Sequence, residues 1–134
     1  MAGTVTLKEY GRGAHGVVSA VDFGWTSTAG GAADLTTDNV YNGFIWGFKT
    51  IPSGTAAPTA LYDLTIKDAD SYDLANGLLA DRSATVTELV AATLAIGGTN
   101  TLCPIPIVNS TLRIDVANAG ASKSGRLIVY FLST

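Results

Sequence analysis

The chain has 134 residues and a formal net charge of −3, and this length is enough for one domain with a buried core that needs no disulfide. Only 14% of its residues are charged, against about 25% in an average soluble domain, so we expect part of its neutral surface to be covered by copies of the chain or by a partner. Without a Lys/Arg run or an apolar stretch of about 18 residues, neither nucleic acid nor a membrane is an expected partner.

Two strands are predicted in the first 25 residues, separated by a glycine-rich loop. Residues 4–10 and 17–25 both alternate between apolar and polar positions, which is typical of half-buried strands. Residues 11–16 match the dinucleotide fingerprint G-x-G-x-x-G, but that site needs a helix after the third glycine, where this chain has a strand pattern. The start of the chain lacks the basic and apolar regions of a signal peptide, so we expect cytoplasmic synthesis without secretion.

The next segments are predicted to be a long irregular loop and a third strand. Residues 26–39 are rich in Thr, Ala, Gly and Asp and favour the loop. In the strand over 41–51, strict alternation would place the three aromatic side chains at 44, 46 and 48 on one face. Four aromatic residues are therefore candidates for the core or for an interface: Trp25, Phe44, Trp46 and Phe48. Together with Tyr41 they could also form a sugar-stacking platform.

An acidic turn follows the predicted strand over 61–68 and raises the question of calcium. Its carboxylates are Asp68, Asp70 and Asp73, but counting from Asp68 puts Tyr72 and Leu79 where a helix-loop-helix calcium site requires ligands. A looser calcium site on these three aspartates stays a minority hypothesis. The favoured interpretation is a turn in which Asp binds its own backbone, and no other metal or cofactor is expected.

The C-terminal third contains one ambiguous segment and three predicted strands. Over residues 86–96 a short helix and a strand fit the pattern almost equally well. Two prolines at alternate positions indicate an edge strand over 102–108. A strand over 112–116 follows, and the last strand, 127–132, is apolar on both faces, which predicts a central strand or an interface.

Seven or eight short strands separated by turns predict an all-β fold, an antiparallel β-sandwich of jelly-roll type in one domain over residues 1–134. Catalytic chemistry is not indicated. The only histidine, His15, lies in the glycine loop with no nucleophile motif beside it, and nothing in the spacing of the acids selects a catalytic pair. We therefore predict a protein that is not an enzyme.

The run over residues 57–70, with Asp73-Leu74, Gly77 and residues 80–83 after it, resembles small virion proteins of tailed bacteriophages. The segment 21–27 and the final strand are also similar to that group. The resemblance implies a β-sandwich decoration or cement protein of the phage head, located on the capsid surface. It further implies a homo-oligomer, with a trimer favoured, whose partner is the major capsid protein. A tail or tail-tip protein and a carbohydrate-binding module remain the alternatives.

Overall fold

A computed structural model describes residues 3–12, 18–96 and 98–132 of the chain. These residues form antiparallel β-strands connected by turns, and no helix occurs among them. The strands are β1 (Thr4–Tyr10), β2 (Ala20–Thr26), β3 (Ala33–Thr36), β4 (Tyr41–Pro52), β5 (Asp63–Lys67), β6 (Glu88–Ala91), β7 (Thr93–Ile96), β8 (Thr99–Leu102), β9 (Ile105–Ser110), β10 (Arg113–Ala117) and β11 (Ser124–Leu132).

Two sheets pack face to face and give the β-sandwich that the alternating pattern predicts. The larger sheet has the order β1-β2-β11-β4-β6, with β9 pairing beside β6 on the same edge of β4. The smaller sheet has the order β3-β10-β5, and β7 and β8 form a separate hairpin. One buried cluster joins the inner faces, for example Phe23 and Leu127 from the larger sheet with Ile114 and Leu64 from the smaller one. Its apolar burial is the main stabilising term of the fold.

The prediction of a central final strand is confirmed. β11 lies between β2 and β4, and it is hydrogen-bonded to both. Its inner positions 127 and 129 are fully buried, and Ile128 on the opposite face is also largely covered. On the outer face, Asp22 of β2 and Lys49 of β4 lie opposite Ile128, and such cross-strand neighbours shield an apolar side chain from water.

The helix considered over residues 86–96 is wrong, since residues 88–91 and 93–96 are strands. The open edge of β4 offers backbone partners to β6, with Val90 opposite Phe48. Val90 packs against the core while Leu89 faces outward, which is a period of two. The carboxylate of Glu88, the first residue of β6, accepts from the backbone N–H of Ser83 at 2.8 Å.

The loop predicted over residues 26–39 also contains a strand that the sequence did not reveal. β3 occupies 33–36 and pairs with β10, with Leu35 opposite Ile114. A four-residue strand carries too little alternation to be recognised among Thr, Ala and Gly. The segment 86–108 also contains β6, β7, β8 and the start of β9, so the number of strands exceeds the seven or eight expected.

A β-bulge at Trp46 changes which aromatic side chains face the core. Tyr130 pairs with Gly47 and the next residue, Phe131, pairs with Ile45, so Trp46 is an extra residue in β4. One extra residue reverses the alternation beyond it. Ile45 and Phe48 are therefore both fully buried, and the prediction that positions 44, 46 and 48 share a face is wrong.

Candidate interaction surface

The outer face of the larger sheet carries a cluster of apolar and aromatic side chains, which we call the aromatic face: Phe44, Trp46, Tyr130 and Leu132. Phe44, Trp46 and Leu132 are 45%, 39% and 42% exposed. The rings of Trp46 and Tyr130 stack, with centroids 5.1 Å apart and planes inclined by 29°. Of the four predicted candidates, two belong to this face, while Trp25 and Phe48 lie in the core.

The strand register explains why large rings can lie on this face. Tyr130 is flanked by small residues on both neighbouring strands, Ala20 on β2 and Gly47 on β4. These neighbours leave space above the sheet, and the bulge turns Trp46 into it. In the next outward-facing row, Leu132 lies opposite Phe44, which in turn lies opposite Pro106 of β9. Cross-strand rows of this kind are the packing unit of a sheet surface.

The charged groups on this side of the sheet are mostly cations. Lys49 Nζ lies 5.6 Å from the centroid of the Tyr130 ring, and Lys8 Nζ lies 4.8 Å from that of Tyr10. Arg126 Nη2 binds the buried carboxylate of Asp22 at 2.5 Å, and this hydrogen bond raises the pKa of Arg126. Three cations against one carboxylate give the outer side of the larger sheet, around the uncharged aromatic face, a charge of +2, within a chain whose net charge is −3.

The outer face of the smaller sheet is polar, by contrast. Arg113 forms ion pairs with Asp115 at 3.0 Å and with Asp34 at 3.4 Å. Thr65 and Lys67 of β5 alternate outward beside them, while Leu64 and Ile66 point into the core. This face has the composition expected of a surface in water. The two outer sides of the sandwich are therefore chemically different.

Two carboxylates of the acidic turn are used within the turn itself. Oδ1 of Asp68 accepts from the backbone N–H groups of Asp70 at 2.9 Å and Tyr72 at 3.0 Å. The carboxylate of Asp73 accepts from those of Ala75 at 3.1 Å and Gly77 at 2.8 Å. Among the described residues, no three His, Cys, Asp or Glu side chains are placed to hold a metal ion. The carboxylates of Asp68 and Asp73 thus bind the backbone of the turn, and the minority calcium hypothesis for Asp68, Asp70 and Asp73 stays a prediction.

A shallow cleft of about 310 Å³ lies at one end of the sandwich, lined by Gly3, Thr4, Thr26, Ser27, Thr28, Ala29 and Ser122. It contains hydroxyl groups but no charged side chain. The hydroxyl of Ser27 already donates to the carbonyl of Gly120 at 2.6 Å. Such a lining offers neither a general acid nor a base. His15 and most of the glycine loop over 11–16 lie outside the described residues.

Comparison with known proteins adds little to this geometry. No protein-family model matches the chain, and no curated protein matches it by sequence. Among solved structures, an exo-β-1,3-galactanase from Phanerochaete chrysosporium, crystallised with galactose, is similar at 15% identity and a TM-score of 0.31. That likeness covers 96% of this chain and 26% of the galactanase chain, so this chain spans about a quarter of that protein. A score this low supports no statement about function.

Two members of the aromatic face, Tyr130 and Leu132, were not among the sequence candidates. The available signal was the final strand, whose apolar residues on both faces indicated a central strand or an interface. The structure shows a central strand whose end, at Leu132, is also exposed.

No described helix is long and apolar enough to cross a membrane.

Proposed function

We propose that this chain is a non-enzymatic structural protein of a virion, a decoration or cement protein that binds the outer capsid lattice of a tailed phage. The observation that carries the proposal is the aromatic face, an exposed apolar cluster on one side of a sandwich whose other side is polar. The resemblance of residues 57–83 to small phage virion proteins supplies the class of particle.

The aromatic face has the composition of a protein-binding surface. Aromatic side chains surrounded by polar groups are the residues that most often dominate the binding energy of an interface. Trp46 and Phe44 would enter the contact as anchors, because each loses little side-chain entropy for the area it buries. Lys49 lies beside the ring of Tyr130, and Lys8 lies on the same side of the sheet beside Tyr10. Both cations favour a partner surface with carboxylates.

Cementing requires many modest contacts repeated over a symmetric lattice. A homo-oligomer, for which we favour a trimer, presents several aromatic faces at once, so weak single contacts combine through their effective concentration. The partner of each face is the major capsid protein. The protein acts in the host cytoplasm during assembly and then on the virion surface.

The experiment compares phage capsids that lack this protein before and after addition of the purified chain. We expect the chain to bind and to raise the temperature at which capsids release their DNA. Trp46→Ala should weaken binding by about tenfold or more, while Thr65→Ala on the polar face should leave it unchanged. Capsids that neither bind the chain nor gain resistance would refute the proposal, and labelling confined to the tail would support a tail protein instead.

A carbohydrate-binding module is the second candidate, and the exposed indole of Trp46 favours it. Its stacking on Tyr130 gives a flat aromatic surface of the kind that sugars pack against. A glycan array separates the two functions. Glycan binding that Trp46→Ala abolishes would support the module, and an array without binding would remove it.

A further inference from the structure

The edge of the larger sheet beside β4 is formed by one interrupted strand. β6 pairs with the second half of β4 and ends with Ala91 opposite Gly47, and β9 resumes with Ile105 opposite Ile45. Between them the chain leaves the sheet for a hairpin over residues 92–104, which contains β7 and β8. The departure coincides with the bulge, where the N–H of Ala92 donates to the carbonyl of Trp46 at 3.0 Å.

This hairpin is anchored on one side only. Its base is closed by the N–H of Cys103 donating to the carbonyl of Ala92 at 3.1 Å. Leu94 packs against the core, and the side chain of Asn100 is held by that of Asn76 at 3.0 Å. All four residues of β8 are nevertheless exposed, and β7 and β8 pair with no other described strand. An isolated two-stranded hairpin is marginally stable in water, so a partner on its open side would stabilise it.

After Glu88, the first residue of β6, the same edge carries no charge. The 24 residues 89–112 contain no Asp, Glu, Lys or Arg. Three of the most exposed apolar side chains of the described chain lie here, Leu89 at 59%, Leu102 at 73% and Val108 at 77%. We call residues 89–112 the charge-free edge. Natural proteins usually protect open sheet edges with charged residues, and between Leu89 and Leu112 this edge has none.

We propose that the charge-free edge is the surface through which copies of this chain join. Each copy has a net charge of −3, and all eleven of its acidic residues lie outside this stretch. Two copies that meet here oppose no like charges, whereas two copies that met through the cationic outer side of the larger sheet would bring like charges together. A partner with charged groups would have to bury them here without an opposite charge, which costs free energy. A second copy brings a matching uncharged apolar surface.

The contact is made by side chains rather than by a continuous backbone ladder. Pro104 and Pro106 remove two amide donors from the strand that would have to extend the sheet. This limits open-ended strand addition and favours a closed oligomer. The inference rests on the proposed function only in its assumption that the chain works as a homo-oligomer. The aromatic face consists of other residues, and in the proposed function it binds the capsid.

The experiment measures the mass of the full chain by analytical ultracentrifugation over a range of concentrations. Leu102→Glu and Val108→Glu place a carboxylate in the contact, and we expect each to weaken association by about 100-fold. Leu61→Glu is the matched control, because Leu61 is 63% exposed and lies in the connection before β5, outside the charge-free edge. It should assemble like the natural sequence. Since all three positions are exposed, far-ultraviolet circular dichroism and the unfolding midpoint should remain unchanged.

Leu89→Lys serves as a further edge variant if one of the glutamate variants fails to fold. A natural chain that remains monomeric at millimolar concentration would overturn the inference. Folded edge variants that associate as tightly as the natural chain would also overturn it. Neither result depends on capsid binding, which is measured separately through Trp46→Ala. The self-association surface and the proposed function can therefore fail independently.

Discussion

Trp46 and Phe48 lie two positions apart in β4, yet the bulge between them gives them opposite environments. Phe48 is fully buried, while Trp46 is 39% exposed and stacks on Tyr130. We expect Phe48→Ala to lower the free energy of unfolding by about 3–5 kcal/mol, because it opens a cavity in the core. Trp46→Ala should cost less, about 1–2.5 kcal/mol, because the lost aromatic pair contributes about 0.5–1.5 kcal/mol and only part of the indole is buried. Urea unfolding of the two variants measures the difference, and equal losses would mean that the bulge is absent.

Asp68 provides a second test at the level of single residues. Its Oδ1 accepts two backbone hydrogen bonds, and Asn would keep that oxygen. We expect Asp68→Asn to preserve most of the stability and Asp68→Ala to lose about 1–3 kcal/mol. Calcium should not shift the thermal midpoint of the natural chain. A midpoint that rises with calcium, and that Asp68→Asn makes insensitive, would support the metal hypothesis.

The sequence predicted residue environments well where strict alternation continues through a strand. In β5, Leu64 and Ile66 are buried as their period of two predicts. In β4, the same rule failed after Trp46, because a bulge is set by pairing with β11. Local pattern does not encode that pairing. The aspartates of the turn behaved as short side chains that bind their own backbone.

At the scale of the elements, the close packing of β11 against β2 and β4 requires a glycine at position 125, opposite Trp25 and Pro52. A Cβ built on Gly125 would lie 2.6 Å from Cζ2 of Trp25 and 3.1 Å from the carbonyl oxygen of Ile51. Gly125→Ala should therefore force the indole or the strand to move, at a cost of about 1–3 kcal/mol. Thermal or urea unfolding measures this cost.

Gly54 is the matched control for that substitution. It lies in the turn after β4, and nothing surrounds its Cβ position within 4 Å. Its φ is outside the left-handed region, so Gly54→Ala should be neutral or stabilise by about 0.4–1 kcal/mol through the unfolded state. Equal losses at both glycines would contradict the close packing of Trp25 against β11.

Element boundaries were predicted less completely than strand faces. The segment 86–108 was divided between a helix or strand and a proline-containing edge strand, but it is one interrupted edge with a hairpin between its parts. The interruption arises because β4 can pair with only one strand along this edge. The extra length of chain must therefore leave the sheet. Such competition for a partner is a tertiary property and leaves no periodic signal.

At the scale of the whole molecule, the uncharged exposed residues are grouped on particular surfaces. The aromatic face and the charge-free edge contain no charged residue, while the outer face of the smaller sheet carries the ion pairs of Arg113. Composition predicted that some surface would be covered, but it did not indicate which one. That depends on the order of strands in the sheet, because strand order decides which outward-facing residues become neighbours.

The folding equilibrium of the whole chain should respond to alkaline pH through two core tyrosines. Burial raises the pKa of Tyr41 and of Tyr62 from 10.0 to about 12. As the pH rises above 10, the unfolded chain releases these protons before the folded chain does, so the free energy of unfolding falls with pH. A shift of this size corresponds to roughly 3 kcal/mol for each tyrosine.

Urea unfolding at pH 8 and at pH 11 measures this alkaline loss. Tyr62 Oη is buried with no hydrogen-bond partner among the described residues, so Tyr62→Phe should change stability little at pH 8. At pH 11 the variant should be more stable than the natural chain, because its unfolded state has one phenol fewer to ionise. Tyr72→Phe, which removes a phenol at an exposed position, is the matched control. If Tyr62→Phe reduced the alkaline loss no more than Tyr72→Phe, the folded chain would have to admit water to Tyr62 and the packing between the sheets would be looser than described.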